Sequence, residues 1–467
     1  MGKLHDITIP PDAASIVDAL EAAGHEAWVT GSYVRDMLMG RIPHDLDIST
    51  SARWETIRDL FSSQGFKVYE TGTDRGTVTV NTGAHLVEIT TFRTEEPIEG
   101  TRIAFQNAVH RKLSVWEPSS RFRFTNSVEK DLLRRDFTMN ALAFNPNCGI
   151  LDPFGGVKDI SNETIRAVGE PSERFWQDPL RILRAARFAS QLGFDVESRT
   201  KEAALASAPL LKHAPAQRIE AEFARLLQGD HARQAIMDWI DVIGVFIPEA
   251  LPMKGLDQRT KYHIYDVLEH TAYTVSLAPQ QRVLRYAAFL HDIGKPVVFR
   301  IDEEGVGHSP GHAAAGAVIS EQVCSRLKLR EDEAAEICTL VGAHDDRISP
   351  TPRSVRKALR RLGGNVRMLR ELLELKKADA LAHAPEHQER AAIAEEVGLV
   401  LDDVLKKEAA FDIKDLAIDG TDVIARGVPA GPSVGAALEA ALDAVIDELV
   451  NNTRDDLLAF LDDRIAH

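Results

Sequence analysis

The alternation of apolar and polar residues divides the chain into a mixed first part and a helical remainder. Up to about residue 144, strand-like runs such as GTVTV, HLVEITTF and ALAF are mixed with helical stretches. In DPLRILRAARFASQLGF and AQRIEAEFARLLQ, by contrast, apolar residues recur every three or four positions, and a helical pattern continues almost to the end. The pattern predicts a small α/β head followed by an all-α body.

Composition changes this picture only slightly. A chain of 467 residues with 44 % hydrophobic and 27 % charged residues is long enough for several globular domains. Its cysteines, Cys148, Cys324 and Cys338, lie far apart, which is typical of reduced thiols in a cytoplasm. No apolar run approaches the roughly 18 residues that a membrane span needs, and the first residues lack the apolar core of a secretory signal. We therefore expect a cytoplasmic protein without membrane contact, of unknown oligomeric state.

The charge distribution bears on nucleic acid as a partner. The formal net charge of -16 argues mildly against it, but screening over about 10 Å lets a local patch act by itself. One segment, residues 352–370, carries basic residues with no acid between them, namely Arg353, Arg356, Lys357, Arg360, Arg361, Arg367 and Arg370. Taken alone, it is more typical of a solvated helix face than of an RNA contact, yet it leaves an RNA partner open.

Two aspartates one residue apart form the first candidate site. In HDLDIS, strand geometry places Asp45 and Asp47 on one face and Leu46 and Ile48 on the other. Neighbouring carboxylates repel unless a divalent cation lies between them, and Mg²⁺ prefers such ligands together with substrate phosphates. If the strand HLVEITTF is a neighbour, Glu88 adds a third carboxylate, enough for two ions about 3.5–4 Å apart. The alternative is a sheet edge with solvated acids.

The segment TGSYVRDML, just before these aspartates, predicts a turn into a helix. Helix N-termini bind phosphate through their first amides. Gly31 lets the backbone approach a ligand closely, and Ser32 adds a hydroxyl. With a phosphate site next to the paired acids, the two interpretations, a divalent-metal site and a sheet edge with solvated acids, are equally well supported.

At this point the sequence resembles the polymerase-β-like nucleotidyltransferases, specifically the bacterial class II CCA-adding tRNA nucleotidyltransferase and poly(A) polymerase family. The resemblance covers about residues 25–230 in family order, through GSYVRD with DLD, TGTDRGTVTV, VEITTFR, RRDFTMNALAF, DPFGG, QDPLRILRAARFASQLGF and RIEAEFARLL. It implies an α+β fold with a polymerase-β-like head built on a mixed sheet and an all-α body that includes an HD domain. The expected domains are a catalytic head (1–145), a helical neck for base recognition and tRNA binding (146–255), an HD metal-binding domain (256–400) and a helical tail (401–467).

The resemblance also implies roles for individual residues. Asp45, Asp47 and Glu88 would be the catalytic carboxylates, and Asp45 and Asp47 would bind Mg²⁺. A further set would bind the nucleotide, namely Gly31, Ser32, Arg35, Arg135, Asp136, Asn140, Asp178, Arg181, Arg184 and Arg187. Without the family, Arg135 and Asp136 would be interpreted as a surface ion pair of little energetic importance.

Asp178 and Arg181 would choose the base. Their spacing predicts that they share one helix face. Cytosine and adenine both present an amine donor beside a ring-nitrogen acceptor, so an aspartate that accepts and an arginine that donates would select them against uracil and guanine. Without the family, an i,i+3 ion pair worth about 0.2–0.5 kcal/mol is the simpler interpretation. With it, this helix would serve as a protein template.

A histidine-rich region after about Lys261 resembles the HD phosphohydrolase motif. The motif centres on HDIGK, and the expected metal ligands are His270, His291, Asp292, His312, His344 and Asp379. One histidine alone is more often structural, but the ordered set favours a metal. Imidazole and carboxylate ligands suit Mn²⁺, Fe²⁺, Ni²⁺ or Zn²⁺. Hydrolysis of a cyclic phosphate or a phosphomonoester there is a separate, secondary expectation.

Together these features predict template-independent completion or repair of the 3′ CCA of tRNA from CTP and ATP, with release of pyrophosphate. Two departures from the family leave the number of added nucleotides open: Gln177 replaces the usual glutamate of E-D-x-x-R, and the loop 94–123 is longer than usual. The alternatives are an A-adding or CC-adding enzyme, or a poly(A) polymerase, which generally lacks the HD segment. An HD metal phosphohydrolase with a regulatory nucleotide-binding head is the alternative of another class.

Overall fold

The computed structural model describes residues 5–43, 45–97, 120–406 and 411–465. They belong to two compact units, one of residues 1–231 with 241–246 and the other of residues 232–240 with 247–467. Among the described residues, no helix is both long and apolar enough to cross a membrane. The predicted α+β class, with a mixed-sheet head and an all-α body, is confirmed, whereas the four domain boundaries remain predictions.

A seven-stranded mixed sheet forms the centre of the head. Its strands in chain order are β1 (Ala27–Thr30), β2 (Asp47–Thr50), β3 (Lys67–Gly72), β4 (Thr77–Asn81), β5 (Leu86–Thr91), β8 (Ala143–Asn145) and β9 (Gly149–Leu151). The spatial order is β3-β4-β5-β2-β1-β8-β9, and only the β2–β5 pair is parallel. Val29, Ile48 and Ile89 on the three central strands are fully buried, so one face of the sheet carries the core.

The long loop predicted at 94–123 begins and ends as an antiparallel ribbon of β6 (Arg93–Pro97) and β7 (Ser120–Phe124). Residues 98–119 of that loop lie outside the described residues.

Helices of the first unit cover the sheet and continue into the neck. They are α1 (Pro11–Ala22), α2 (Ser32–Leu38), α3 (Trp54–Ser63), α4 (Val128–Leu133), α5 (Gly156–Ser161), α6 (Pro171–Gln177), α7 (Leu180–Leu192), α8 (Ser198–Ser207) and α9 (Ala216–Leu227). A short parallel pair, β10 (Thr164–Ile165) with β11 (Asp195–Val196), lies among them. The three- and four-residue spacing predicted for α7 and α9 is confirmed, because Leu180 and Leu183 of α7 and Phe223 and Leu227 of α9 are buried.

Helix α10 (Ala232–Ile243) follows, and the second unit is then almost entirely helical. Its elements are α11 (Val267–Leu277), α12 (Arg282–Leu290), α13 (Lys295–Val298), α14 (His312–Leu327), α15 (Glu331–Ala343), α16 (Pro352–Arg361), α17 (Val366–Leu381), α18 (Glu389–Lys406), α19 (Gly420–Ala425), α20 (Pro432–Ile446), α21 (Arg454–Ile465) and the ribbon of β12 (Arg300–Ile301) with β13 (Gly307–His308). Side chains fix several helix starts: Asp266 accepts from the Glu269 amide and Asn365 from the Met368 amide. Helix α12 is buried along its length from Leu284 to Leu290, which places the residues that follow it in the interior.

Candidate active site and metal centre

The predicted carboxylate cluster of the head is assembled by strand register. Strands β2 and β5 are parallel neighbours, and Asp47 is paired with Glu88. Paired residues on neighbouring strands project to the same face, so these two carboxylates lie side by side, and exposed Asp45 stands two residues before Asp47. Burial raises the pKa of Asp47 to about 6; Arg135 opposes this shift, and Glu88 and Asp45 reinforce it. The cluster is therefore short of positive charge, as a site for a divalent cation should be.

Gly31 occupies a position where a side chain would not fit. Its φ of 77° lies in the left-handed region, and a Cβ at this position would approach Arg135 Nη1 to 2.6 Å. Its own amide donates to the Leu142 carbonyl at 3.1 Å. The close approach that the glycine permits is thus made by Arg135, and Ser32 begins a helix of only seven residues.

Buried arginine–aspartate pairs connect Arg135 to the rest of the head. Asp131, which has no exposed side-chain surface, lies 3.6 Å from Arg135 Nη2 and 2.8 Å from Arg134 Nη2. Asp136 Oδ2 lies 2.6 Å from Arg184 Nη2, and Asp136 Oδ1 accepts from Asn140 Nδ2 at 3.0 Å.

Burial alone would raise the pKa of Asp136, but Arg184, the hydrogen bond from Asn140 and the amide of Phe137 together lower it. Asp136 is therefore an ionised acceptor held in place.

Three of the predicted nucleotide-binding arginines surround one aromatic ring. The guanidinium carbons of Arg35, Arg184 and Arg187 lie 5.2, 5.9 and 3.9 Å from the centre of the Phe188 ring. Arg35 is nearly buried and donates to Asn140 Oδ1 at 2.7 Å. Arg187 is also nearly buried and pairs with Glu222 at 2.6 Å. This geometry favours positioning roles for Arg35 and Arg187, while Arg184 is more exposed, at 38 % of its side chain.

The prediction that Asp178 and Arg181 share one helix face is wrong, because Asp178 is not part of a helix. Asp178 lies between α6 and α7 with an extended backbone, φ −142° and ψ 102°, because the following Pro179 disfavours a helical residue before it. Its Oδ1 accepts from the Leu180 amide at 3.1 Å, and its Oδ2 accepts from Arg218 Nη2 at 3.2 Å.

Arg181 has its own set of partners. It donates to the Arg134 carbonyl at 2.7 Å and to Gln177 Oε1 at 3.0 Å, and it lies 3.5 Å from Glu95 Oε2. Gln177, the departure from the family pattern, therefore still supplies an acceptor. Arg218 and Glu95 could not be identified from the sequence, because nothing in its spacing relates them to Asp178 or Arg181.

The predicted HD ligands converge inside the second unit. His270 Nε2 lies 2.9 Å from Asp379 Oδ1 and 3.6 Å from Asp292 Oδ2, and His291 Nε2 lies 3.2 Å from Asp292 Oδ2. His291 and Asp292 are both almost completely buried, and the Lys295 ammonium also reaches Asp292 Oδ2. Buried imidazole and carboxylate groups gathered within ligand distance of one another form a donor set that can hold a cation.

A second set of ligands shares Asp292. His312 Nε2 and His344 Nε2 lie 3.6 and 3.8 Å from Asp292 Oδ1 and 3.1 Å from each other. Burial, with His291 nearby, lowers the pKa of His344 to about 3, so its imidazole is neutral. Two Nε2 atoms that face each other at this distance fit a shared metal ion or a shared proton.

Backbone carbonyls orient all of these imidazoles in the same way. The Nδ1 atoms of His270, His291, His312 and His344 lie 3.3, 2.8, 2.9 and 2.7 Å from the carbonyls of Ala382, Ala288, Ser309 and Val341. Donation from Nδ1 leaves each Nε2 lone pair free for a metal, which is the usual arrangement around metal-bound histidine. The donor set fits the expected transition metals.

The structure adds residues that the sequence prediction missed. His383 is nearly buried and lies within the ligand range of His270 and Asp379. Its position four residues after Asp379, just beyond the end of α17, was the available signal. Lys295 Nζ lies 2.7 Å from Asp292 Oδ2, and a cavity of about 390 Å³ beside the ligands is also lined by Arg300 and Arg390.

Three regions of the chain match known protein families. Residues 27–166 match the poly A polymerase head domain, residues 193–241 a probable RNA and SrmB-binding site of polymerase A, and residues 260–403 the HD domain. A CCA-adding enzyme of Lactobacillus helveticus is 41 % identical over 239 residues, which is 51 % of this chain and 55 % of that protein. One of Streptococcus suis is 40 % identical over 230 residues, which is 49 % of this chain and 52 % of that protein. The chain thus spans about half the length of the curated relatives it matches.

A solved structure is similar over nearly the whole chain. The crystal structure of a Bacillus stearothermophilus CCA-adding enzyme in complex with CTP has a TM-score of 0.72 and 28 % identity, and the match covers 98 % of each chain. These comparisons confirm the resemblance to the family of CCA-adding enzymes and poly(A) polymerases, with a nucleotidyltransferase head and an HD domain in one chain.

Proposed function

We propose that the protein completes or repairs the 3′-terminal CCA of tRNA with CTP and ATP and releases pyrophosphate, in a cytoplasm. The observation that carries the proposal is the pairing of Asp47 with Glu88 across parallel strands, with Asp45 beside them. Such a cluster needs divalent cations, and a phosphoryl-transfer site needs them at the same place. Similarity to CCA-adding enzymes, one of them bound to CTP, supports this choice of reaction.

The residues of the head have two roles: some would bind metal ions and others would position the nucleotide. Asp45 and Asp47, with Glu88, would hold Mg²⁺, which neutralises phosphate charge and favours loss of the proton from the tRNA 3′-hydroxyl. Asp136, fixed by Arg184 and Asn140, presents an ionised acceptor suited to a ribose hydroxyl.

Base choice by Asp178 and Arg181 requires each to exchange its present partners. Asp178 must release Arg218, and Arg181 must release Glu95 or the Arg134 carbonyl. Once released, the aspartate accepts from the exocyclic amine of C or A and the arginine donates to the ring nitrogen. Uracil and guanine would leave both side chains unpaired, which is the stronger form of rejection.

Incorporation of labelled nucleotides tests the proposal and separates the alternatives. Labelled CTP and ATP are each offered to three tRNAs that end before CCA, after the first C and after CC. Addition of C to the first two and of A to the third supports full CCA addition. Addition of A alone or of C alone identifies a specialist, and A tails of unlimited length identify a poly(A) polymerase.

A second candidate function is metal-dependent hydrolysis of a phosphate ester at the HD site. The convergence of His291 and Asp292 with the other candidate ligands, beside a cavity lined by Lys295, Arg300 and Arg390, favours an anionic substrate near a metal. The test is the content of Mn, Fe, Ni and Zn after loading, together with hydrolysis of 2′,3′-cyclic nucleotides and of phosphomonoesters. His291→Ala should lose both metal and hydrolysis, whereas His308→Ala, at the cavity rim, should keep the metal.

A further inference from the structure

The basic segment 352–370 is fully paired with acids in the structure. Three of its arginines have partners on α15, α17, α18 or the turn after α15, namely Arg361 with Asp346, Arg367 with Glu336 and Glu371, and Arg370 with Asp402. The four basic residues at the start of the segment differ, because all of them contact one small region around the C-terminal end of α20. Those four residues are Arg353, Arg356, Lys357 and Arg360.

These four side chains form a single basic face of α16. Their spacing of three, four and seven places them on one side of the helix. The opposite side carries Val355, Ala358 and Leu359, which are buried. Packing therefore fixes the orientation of α16 and presents its four cations together on the side away from the core.

The end of α20 supplies carboxylates and a helix terminus to this face. Arg353 Nε and Lys357 Nζ lie 2.8 and 2.7 Å from Asp447 Oδ1, and Arg360 pairs with Asp443.

Arg356 Nη2 lies 2.7 Å from Glu448 Oε1 and donates to the Ile446 carbonyl at 3.2 Å. The last carbonyls of a helix carry negative partial charge, so the whole end of α20 acts as an anion.

The tail that carries these acids has an apolar cluster of its own. Its apolar cluster includes Val423, Leu442, Ile446, Leu457 and Leu461, and every described member lies between residues 413 and 461. No side chain of α16 belongs to the cluster. The ion pairs and the Ile446 carbonyl are the polar contacts that join the tail to this face.

We propose that the basic face of α16 binds the phosphate backbone of RNA and that the acidic end of α20 covers it until RNA displaces the tail. Exposed ion pairs are individually weak and are screened by salt. A polyanion gains from counterion release at every phosphate that it places on a cation, so it competes well for such a surface. The choice of RNA as the partner rests on the proposed function.

Removal of the covering charges tests the competition. The variant D443N/D447N/E448Q removes the acids that face α16. The matched variant E439Q/D455N/D463N removes the same formal charge from exposed positions of the tail, one of them on α20 itself. Binding of a tRNA transcript that lacks CCA is measured with the full chain, without nucleotide, across a series of KCl concentrations.

The first variant should bind roughly five- to tenfold more tightly than the wild type, because weak ion pairs no longer compete. The slope of log affinity against log salt should steepen by up to about 3, because as many as four phosphates gain a cation. The matched variant should show neither change. Adding R353Q and K357Q to the first variant should return both the affinity and the slope toward wild-type values.

Three outcomes overturn the inference. They are equal behaviour of the two tail variants, a gain in affinity that survives R353Q and K357Q, and weaker binding by the first variant, which would place the RNA on the tail itself. CTP incorporation into the same tRNA is measured in parallel. Incorporation without the expected change in binding counts against the inference alone, whereas absence of both tRNA binding and incorporation in the wild type counts against the proposed function as well.

Discussion

The two candidate metal sites of this chain bring their ligands together in different ways. In the head, Asp47 and Glu88 meet by strand register on a face where Asp45 and Glu88 are exposed. In the HD site, His270, His291 and Asp292 are almost completely buried among helices. The first site is open to solvent and short of positive charge. In the second, the ligands are buried beside a cavity, and backbone carbonyls fix the imidazoles.

This difference matches the function proposed for each site. A nucleotidyltransferase exchanges nucleotide, RNA end and pyrophosphate in each cycle, so its metal ligands must be accessible and its other charges must be held by the protein. The buried pairs Asp131–Arg134 and Asp136–Arg184 do that. A buried set of oriented imidazoles is better suited to a resident metal ion, since little has to rearrange when a small substrate enters.

The substitution Asp47→Ala should affect the head site alone and should have the largest effect. We expect CTP incorporation to fall by more than about 100-fold, because even residues behind a metal ligand typically contribute 10–100-fold. Binding of tRNA and metal loading of the HD site should be unchanged. Asp59→Asn, an exposed acid of α3, is the matched control and should incorporate normally. Normal incorporation by Asp47→Ala would exclude the carboxylate cluster as the active site.

The converse change is Asp292→Asn, which removes the carboxylate shared by both sets of HD ligands. Metal affinity should fall by about 100-fold or more, together with any phosphate-ester hydrolysis. CTP incorporation should stay within about twofold of wild type if the sites are independent. A parallel loss of incorporation and of metal would show that the head depends on the HD site.

Arg181→Ala tests base choice and should have a smaller effect. We expect discrimination against UTP relative to CTP to weaken by roughly 100-fold. Without Arg181, no buried donor is left without an acceptor when uracil replaces cytosine. Arg199→Gln, an exposed arginine of α8 paired with Glu170, should retain wild-type discrimination. Unchanged rejection of UTP by Arg181→Ala would count against the protein-template mechanism.

Stability against pH tests the structural charges of the head. Burial opposes ionisation of Asp131, but Arg134 and Arg135 together hold its pKa below the ordinary value of 3.8. A lowered pKa in the folded state means that the stabilisation is present above pH 4 and is lost as the pH falls through the folded-state value. Asp131→Asn should therefore lower the free energy of unfolding by about 3 kcal/mol at pH 7 and by less at pH 3.5.

Chemical unfolding at both pH values measures this difference. Asp59→Asn serves again as the control and should change the free energy of unfolding by less than about 0.5 kcal/mol at either pH. A difference for Asp131→Asn that does not shrink in acid would mean that packing, and not charge, is what the carboxylate contributes.

The sequence alone determined the elements and the chemical groups of both sites. Alternation in HLVEITTF was enough to predict a strand, because the side-chain period of a strand does not depend on its neighbours. In HDLDIS the strand begins only at Asp47, so Asp45 precedes it and does not share it as predicted. HDIGK and the order of the later histidines were enough to predict which side chains of the HD region converge, while their role as metal ligands stays a prediction. The prediction of one helix face for Asp178 and Arg181 was wrong, since Pro179 disfavours a helical conformation at Asp178.

Only the tertiary structure decided which groups meet. The parallel pairing of β2 with β5 brings Glu88 to Asp47, and the contacts of Arg181 with Glu95 and of Asp178 with Arg218 join residues 86 and 40 positions apart. The basic stretch 352–370 was equally compatible with solvent or RNA until its partners at the end of α20 were seen. Local periodicity fixes the direction of a side chain, but its partner depends on packing between distant segments, which no short stretch of sequence contains.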